Sequence, residues 1–231
     1  MTVQLPLGIG LRDEATFENL IAGPNAEAAA LAGRAGSGNG EQFVYFWGAG
    51  GTGKSHLLQA VCHDVAQHGG ACAYVPLREH QDLAPEMLEG MEQLDVVCID
   101  DVEKIAGDSA WELALFSLYN ALRDRKGGSL IIASAAPPGR GSWRLPDLAS
   151  RLASCVVVHL DELAEADKLA ALQLRARARG LELNDEVGQY LLRRCRRDMA
   201  SLFALLEHLD RQSLVAQRRL TVPFVKEVMG T

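Results

Sequence analysis

The sequence predicts an α/β fold: a five-stranded parallel sheet covered by helices on both faces, followed by a small all-helical domain. Three observations carry this reading. The run Gly48-Ala49-Gly50-Gly51-Thr52-Gly53-Lys54-Ser55 fits the P-loop pattern G-x-x-x-x-G-K-[ST]. It lies between a strand-like run, Phe43-Val44-Tyr45-Phe46-Trp47, and a helix-like run that begins His56-Leu57-Leu58. Short apolar runs alternate with helical segments up to His159, the pattern of a parallel sheet buried on both faces, and beyond Leu160 the strand-like runs stop.

Taken in order, residues 1–12 read as a flexible tail, because Gln4-Leu5-Pro6-Leu7-Gly8-Ile9-Gly10 is apolar but broken by proline and glycine. A short segment, Thr16-Phe17-Glu18-Asn19-Leu20, precedes an alanine-rich helix over 26–32. Gly36-Ser37-Gly38-Asn39-Gly40 is a loop before the first strand, 43–47. The helix after the P-loop runs to about Gln67 and ends at Gly69-Gly70. A second strand over 71–75 is stopped by Pro76. Leu83, Met87, Leu88 and Met91 recur at helical spacing and predict a helix over 81–93. A third strand, 94–99, runs into Asp100-Asp101. The helix over 109–126 aligns Trp111, Leu115, Leu118, Tyr119 and Leu122 on one face. It collects Arg123, Arg125 and Lys126 at its C-terminal end, where the helix dipole favours cations. Strands 129–133 and 155–159 complete the sheet.

Four helices follow, near 163–179, 185–195, 199–217 and 223–229. Gly180 ends the first, Asn184 or Asp185 caps the second, and Pro223 suits the first turn of the last. The expected organisation is a tail at 1–12, an α/β domain at 13–160 and a helical domain at 161–231.

Composition narrows the function. With 231 residues, 48% hydrophobic and 23% charged, the chain has the make-up of an ordinary globular protein. No apolar run approaches the roughly 18 residues of a membrane span, and Met1-Thr2-Val3-Gln4 does not open a signal peptide. Cys62, Cys72, Cys98, Cys155 and Cys195 form no CxxC pair, and the six histidines are scattered. This points to buried thiols in a reducing cytoplasm and away from a zinc site. A net charge of −7 argues against a dominant role in nucleic-acid binding.

The chemistry follows from the residue types. Glycines let the N–H groups of Gly48, Ala49, Gly50, Gly51, Thr52 and Gly53 turn inward on phosphates, at the positive end of a helix dipole. Lys54 then reaches the β- and γ-phosphates, Ser55 ligates Mg²⁺, and His56 stands beside them at the start of the helix. Asp100 at the end of an apolar strand holds Mg²⁺ directly or through water, and Asp101 is a candidate base for positioning water.

Together these stretches resemble the DnaA/Hda family of AAA+ ATPases. The resemblance rests on Thr16-Phe17-Glu18-Asn19-Leu20, the P-loop with Ser55-His56-Leu57-Leu58, Cys98-Ile99-Asp100-Asp101 and Ile105-Ala106-Gly107-Asp108. It continues with Pro137-Pro138, Leu145-Pro146-Asp147-Leu148-Ala149-Ser150-Arg151-Leu152, Asp167-Lys168-Leu169, Leu172-Gln173-Leu174-Arg175-Ala176 and Val222-Pro223-Phe224-Val225-Lys226-Glu227. It spans nearly the whole chain and implies an AAA+ P-loop domain with an α-helical lid, ADP or ATP with Mg²⁺ as cofactors, and regulation of replication initiation through the DnaA initiator. Arg151 matches the family's arginine finger; the reading from sequence alone is a helix cap or a pair with Asp147. Gln4, Leu5 and Leu7 resemble a peptide that docks on the DNA polymerase sliding clamp, although Gly8-Ile9 departs from that motif. Initiators of the family continue into a helix-turn-helix domain, which is not expected in the 231 residues here.

Two departures bear on activity. The sensor run is Ser134-Ala135-Ala136-Pro137-Pro138, with Ser134 carried over toward nucleotide but Ala135 where the family has an acid. Ala200 aligns with the lid's sensor arginine, for which Arg196 or Arg197 could substitute. Weak or absent intrinsic ATPase activity is therefore expected. The arginine clusters at 175–179 and 193–197 read as solvated helix faces or as contacts with the initiator, with phosphate or, weakly, with DNA. Monomer and homodimer both remain open. The rival reading is an independent ATPase acting in helicase loading or DNA remodelling.

Overall fold

In the structure, a computed structural model that describes residues 15–125, 127–194 and 198–230, five strands form one all-parallel sheet. They are β1 (Phe43–Trp47), β2 (Cys72–Pro76), β3 (Val96–Asp100), β4 (Ser129–Ser134) and β5 (Val156–His159), in the spatial order β2-β3-β4-β1-β5. The register sets Trp47 beside Ser134 and His159, and Pro76 beside Asp100. The C-terminal ends of the strands therefore lie together, where ligands bind in open α/β sheets.

Helices α1 (Ala26–Gly36) and α2 (Lys54–Gln67) pack on each other, as do α3 (Ser109–Arg125) and α4 (Pro146–Ala153). Strand periodicity shares out the core. Val97, Ile99, Leu130 and Ile132, alternate residues on their strands, join Leu115, Leu118 and Leu122 of α3 and Leu148 and Leu152 of α4 in one buried cluster. Each such side chain contributes about 1.5–3 kcal/mol by leaving water. Phe43 and Tyr119 stack with ring centroids 4.1 Å apart, which ties β1 to α3.

Two expectations are corrected. The segment 81–93 is not an α-helix but a series of 3-10 turns, Leu77–Asp82, Pro85–Leu88 and Met91–Gln93. Pro85 forces Ala84 into extended backbone (φ −110°, ψ 140°), and Gly90 turns left-handed at φ +81°. The apolar spacing survives because Leu83, Met87, Leu88 and Met91 still pack on the core. The sheet is also not covered evenly. β5 is an edge strand with Val156 and Val157 exposed, whereas every residue of β3 and β4 is buried.

Residue contacts separate the chain into two units. One holds 25–49 and 53–161 with the described residues up to 18; the other holds 19–24, 50–52 and the described residues from 162 on. The second is built from α5 (Glu165–Ala178), α6 (Asp185–Arg194), α7 (Met199–Ala216) and α8 (Val222–Met229) around Leu172, Val187, Leu191, Leu202, Leu206 and Phe224. Side chains cap the starts of α6, α7 and α8, whereas α5 begins after Ala164 without one. Asn184 accepts from the Val187 N–H at 2.9 Å, and Asp198 from the Ser201 N–H at 2.8 Å. Thr221 accepts from Phe224, with Pro223 in the first turn of α8. Two residues of the first arginine cluster serve this unit itself. Arg175 lies 5.3 Å from the Phe203 ring, and Arg179 pairs with Glu207 and Asp210. Among the described residues no helix is long and apolar enough to cross a membrane.

Candidate nucleotide-binding site

The P-loop leaves β1 and is fixed at its start by the Gly48 N–H, which donates to the carbonyl of Ser134 at 3.2 Å. Gly51 and Gly53 take φ of +85° and +95°, left-handed backbone that side chains resist. A Cβ built at Gly50 or at Gly53 would meet no atom within 4 Å. The loop feeds directly into α2, whose first residue is Lys54. The Lys54 ammonium is buried and folds back to donate to the carbonyls of Gly48 at 2.6 Å and Ala49 at 2.7 Å. Burial lowers its pKa, against the opposing attraction of Asp100, Asp101 and Glu103. A cation held by neutral carbonyls beside a glycine turn fits an anionic phosphate.

Asp100 ends β3 and is fully buried. Burial raises its pKa; a hydrogen bond from Ser55 opposes that rise, and the neighbouring Asp101 adds to it. Tyr74 on β2 donates its hydroxyl to Asp100 Oδ2 at 2.7 Å, and the Asp101 N–H donates to Oδ1 at 3.0 Å. Burial also pushes the Tyr74 hydroxyl well above its usual range, so it remains a donor. Asp101 takes left-handed backbone (φ +55°) and opens the 3-10 turn Val102–Ile105. The structure thus brings together Ser55, Asp100 and Asp101. The hydroxyl and carboxylate oxygens are the hard donor set that suits Mg²⁺.

Other predicted residues fall nearby with partners the sequence did not reveal. His56 Nε2 lies 3.0 Å from the Thr16 carbonyl, to which it can donate. Ser134 Oγ donates to Glu103 Oε2 at 3.0 Å, and the Ala135 N–H donates to the same oxygen at 3.1 Å. Glu103, from the turn after β3, thus sets a carboxylate beside the run that has alanine at position 135. Arg78 was also missed. It follows β2, and its guanidinium reaches Asp101 Oδ2 at 2.8 Å. No motif marks either residue; only the parallel register brings their segments to the same end of the sheet.

Arg151 lies in the last turn of α4, half-buried, with its guanidinium 6.0 Å from the Tyr119 ring centroid. Among the described residues it forms no ion pair, with Asp147 or any other acid. The Ser154 N–H and hydroxyl bond its backbone carbonyl, so it is the main chain, not the guanidinium, that closes the helix. Gln4, Leu5 and Leu7, and the lid residues Arg196 and Arg197, lie outside the described residues. Ala200 stands in the first turn of α7.

Parallel sheet, P-loop and strand-end aspartate define a P-loop nucleotide-binding protein of the AAA+ class. A family model of the bacterial DnaA ATPase domain matches residues 11–160, and one of the Hda lid domain matches residues 165–229. The chain belongs to this family of DnaA-related AAA+ proteins, on its Hda branch, which ties it to the regulation of replication initiation. Domain III of the Thermotoga maritima replication initiation protein DnaA has the same fold. Its TM-score is 0.84 at 23% identity, over 96% of this chain and 98% of that one. AMPPCP-bound DnaA from Aquifex aeolicus gives 0.72 at 22% identity, over 89% and 68%. The Holliday junction branch migration motor RuvB of T. maritima gives 0.70 at 16% identity, over 95% and 72%.

Proposed function

We propose that the chain is a negative regulator of replication initiation that stimulates hydrolysis of the ATP bound to DnaA. It holds ADP or ATP in its own P-loop, attaches to the DNA-loaded sliding clamp through Gln4, Leu5 and Leu7, and supplies Arg151 in trans. When bound, the nucleotide would lie along 48–55 with Lys54 toward its phosphates, and Mg²⁺ would be held by Ser55 and Asp100. The observation that carries the reading is the state of Arg151. It is a permanent cation on a short helix, with no carboxylate partner among the described residues. Such a charge is available to a transferring γ-phosphoryl group, an effect worth about 10³–10⁵ in rate where it has been measured in GTPases.

Intrinsic turnover is expected to be weak. At the sensor, Glu103 is engaged by Ser134 and the Ala135 N–H, and Asp101 is paired with Arg78, so neither carboxylate is free to position water. The rival reading, an independent ATPase in helicase loading or DNA remodelling, draws on the complete Lys54, Asp100 and Asp101 set. Steady-state hydrolysis by the purified protein separates the two. A kcat well below about 1 s⁻¹, unchanged by DNA, supports the regulator; DNA-stimulated turnover above that value supports the motor.

A further inference from the structure

We propose that the Arg78 guanidinium occupies the cation position of this nucleotide site, so that the protein retains a nucleoside diphosphate without needing a divalent cation. The inference rests on the reading of the P-loop as a phosphate site.

Arg78 stands two residues beyond the end of β2, in the 3-10 segment Leu77–Asp82. Its Nε lies 2.8 Å from Asp101 Oδ2. Its Nη2 lies 3.9 Å from Asp100 Oδ2 and 3.4 Å from Ser55 Oγ. One guanidinium thus stands over Ser55 and Asp100, the two side chains that would hold Mg²⁺, and over Asp101 beside them. The group keeps its charge at any working pH. It places one positive charge against two carboxylates, of which Asp100 has no exposure to solvent at all.

Mg²⁺ requires six oxygens in near-ideal octahedral geometry at about 2.0–2.1 Å. With Nη2 3.4 Å from Ser55 Oγ and 3.9 Å from Asp100 Oδ2, the guanidinium charge opposes a divalent cation that would take those oxygens directly or through water. Metal binding therefore favours withdrawal of Arg78, which would leave Asp101 without its charge-assisted bond. The side chain is half exposed, so withdrawal is sterically open, and the competition is set by charge. When the metal is absent the two carboxylates are partly compensated by Arg78, and a diphosphate entering the loop meets Lys54 and Arg78 instead of two bare acids.

The test compares wild type with Arg78→Gln, which keeps hydrogen-bonding capacity without the charge, and with Arg78→Lys, which keeps the charge. Affinity for methylanthraniloyl-ADP is measured by fluorescence in excess EDTA and in excess Mg²⁺. Binding of Mn²⁺ alone to nucleotide-free protein is followed by electron paramagnetic resonance. The expected result is a wild-type ratio of the two ADP affinities within about threefold of one. In Arg78→Gln, Mg²⁺ should tighten ADP at least tenfold and Mn²⁺ affinity should rise at least tenfold, with Arg78→Lys remaining near wild type. A wild type already tightened tenfold by Mg²⁺, or an Arg78→Gln protein that gains nothing for either metal, overturns the proposal. If no variant binds ADP, the phosphate reading fails, while the Mn²⁺ comparison still decides whether Arg78 excludes the metal.

Discussion

Glu112, fully buried on α3, accepts the backbone N–H of Leu145 through Oε2 at 2.7 Å, across 33 residues of sequence. Its other oxygen accepts from Gly107 at 2.7 Å and from Arg144 at 3.1 Å. One carboxylate therefore satisfies three main-chain donors and fixes the entry to α4, the helix that carries Arg151. Replacing it with Gln sets an NH₂ group against at least one of those donors. The expected loss is about 1–3 kcal/mol, read as a fall in Tm of several degrees. Stimulation of DnaA-bound ATP hydrolysis should fall with it. A Glu112→Gln protein with unchanged Tm would show that the carboxylate is not what holds this loop.

Nucleotide retention is expected to depend most on Lys54. Saturating ADP at about 100 times its Kd should stabilise wild type by about 2.7 kcal/mol. Lys54→Ala should show no nucleotide-dependent rise in Tm, because the remaining N–H groups cannot replace a buried cation. An equal thermal shift in both proteins would place the nucleotide elsewhere.

The buried Asp100 gives a pH dependence with a definite sign. Its native pKa is raised, chiefly by burial, so the folded protein binds its proton more tightly than the unfolded chain does. The stability this confers is complete below the unfolded value, about 3.9, and is lost as pH rises through the native value. Asp100→Asn removes that loss. The Tm of the nucleotide-free variant relative to wild type should therefore rise as the pH is raised through neutral and fall as the medium is acidified. A Tm difference between the two that does not change with pH would mean that Asp100 does not titrate with folding.

The tail carries its own prediction. Changing Gln4, Leu5 and Leu7 together to Ala should weaken binding to the sliding clamp at least tenfold in surface plasmon resonance, with Tm unchanged. Undiminished binding would move the clamp contact to another surface.

How much of this could be read from sequence depended on how local the signal was. The P-loop, the strand ending at Asp100 and the four lid helices each carry their pattern in consecutive residues, and they stand close to where periodicity and end signals place them. The helix expected over 81–93 failed because apolar spacing there is met equally well by successive 3-10 turns once Pro85 and Gly90 interrupt the hydrogen-bond ladder. The exposed edge of the sheet was missed because Val156-Val157-Val158 reads as buried whichever position the strand takes. Glu103, Arg78 and Glu112 were invisible for another reason. Each also reaches a residue 23 to 33 positions away, a distance that only the sheet order and the turns after the strands bring within reach.

The most direct test of the account is single-turnover hydrolysis of ATP preloaded on the cognate DnaA, with DNA-loaded clamp, comparing wild type with Arg151→Ala. The account predicts acceleration by wild type and a loss of about 10³-fold or more of that acceleration in the variant, within the range of an arginine supplied in trans, with Tm and ADP binding retained. Equal acceleration by the two proteins, or none by either, would contradict it.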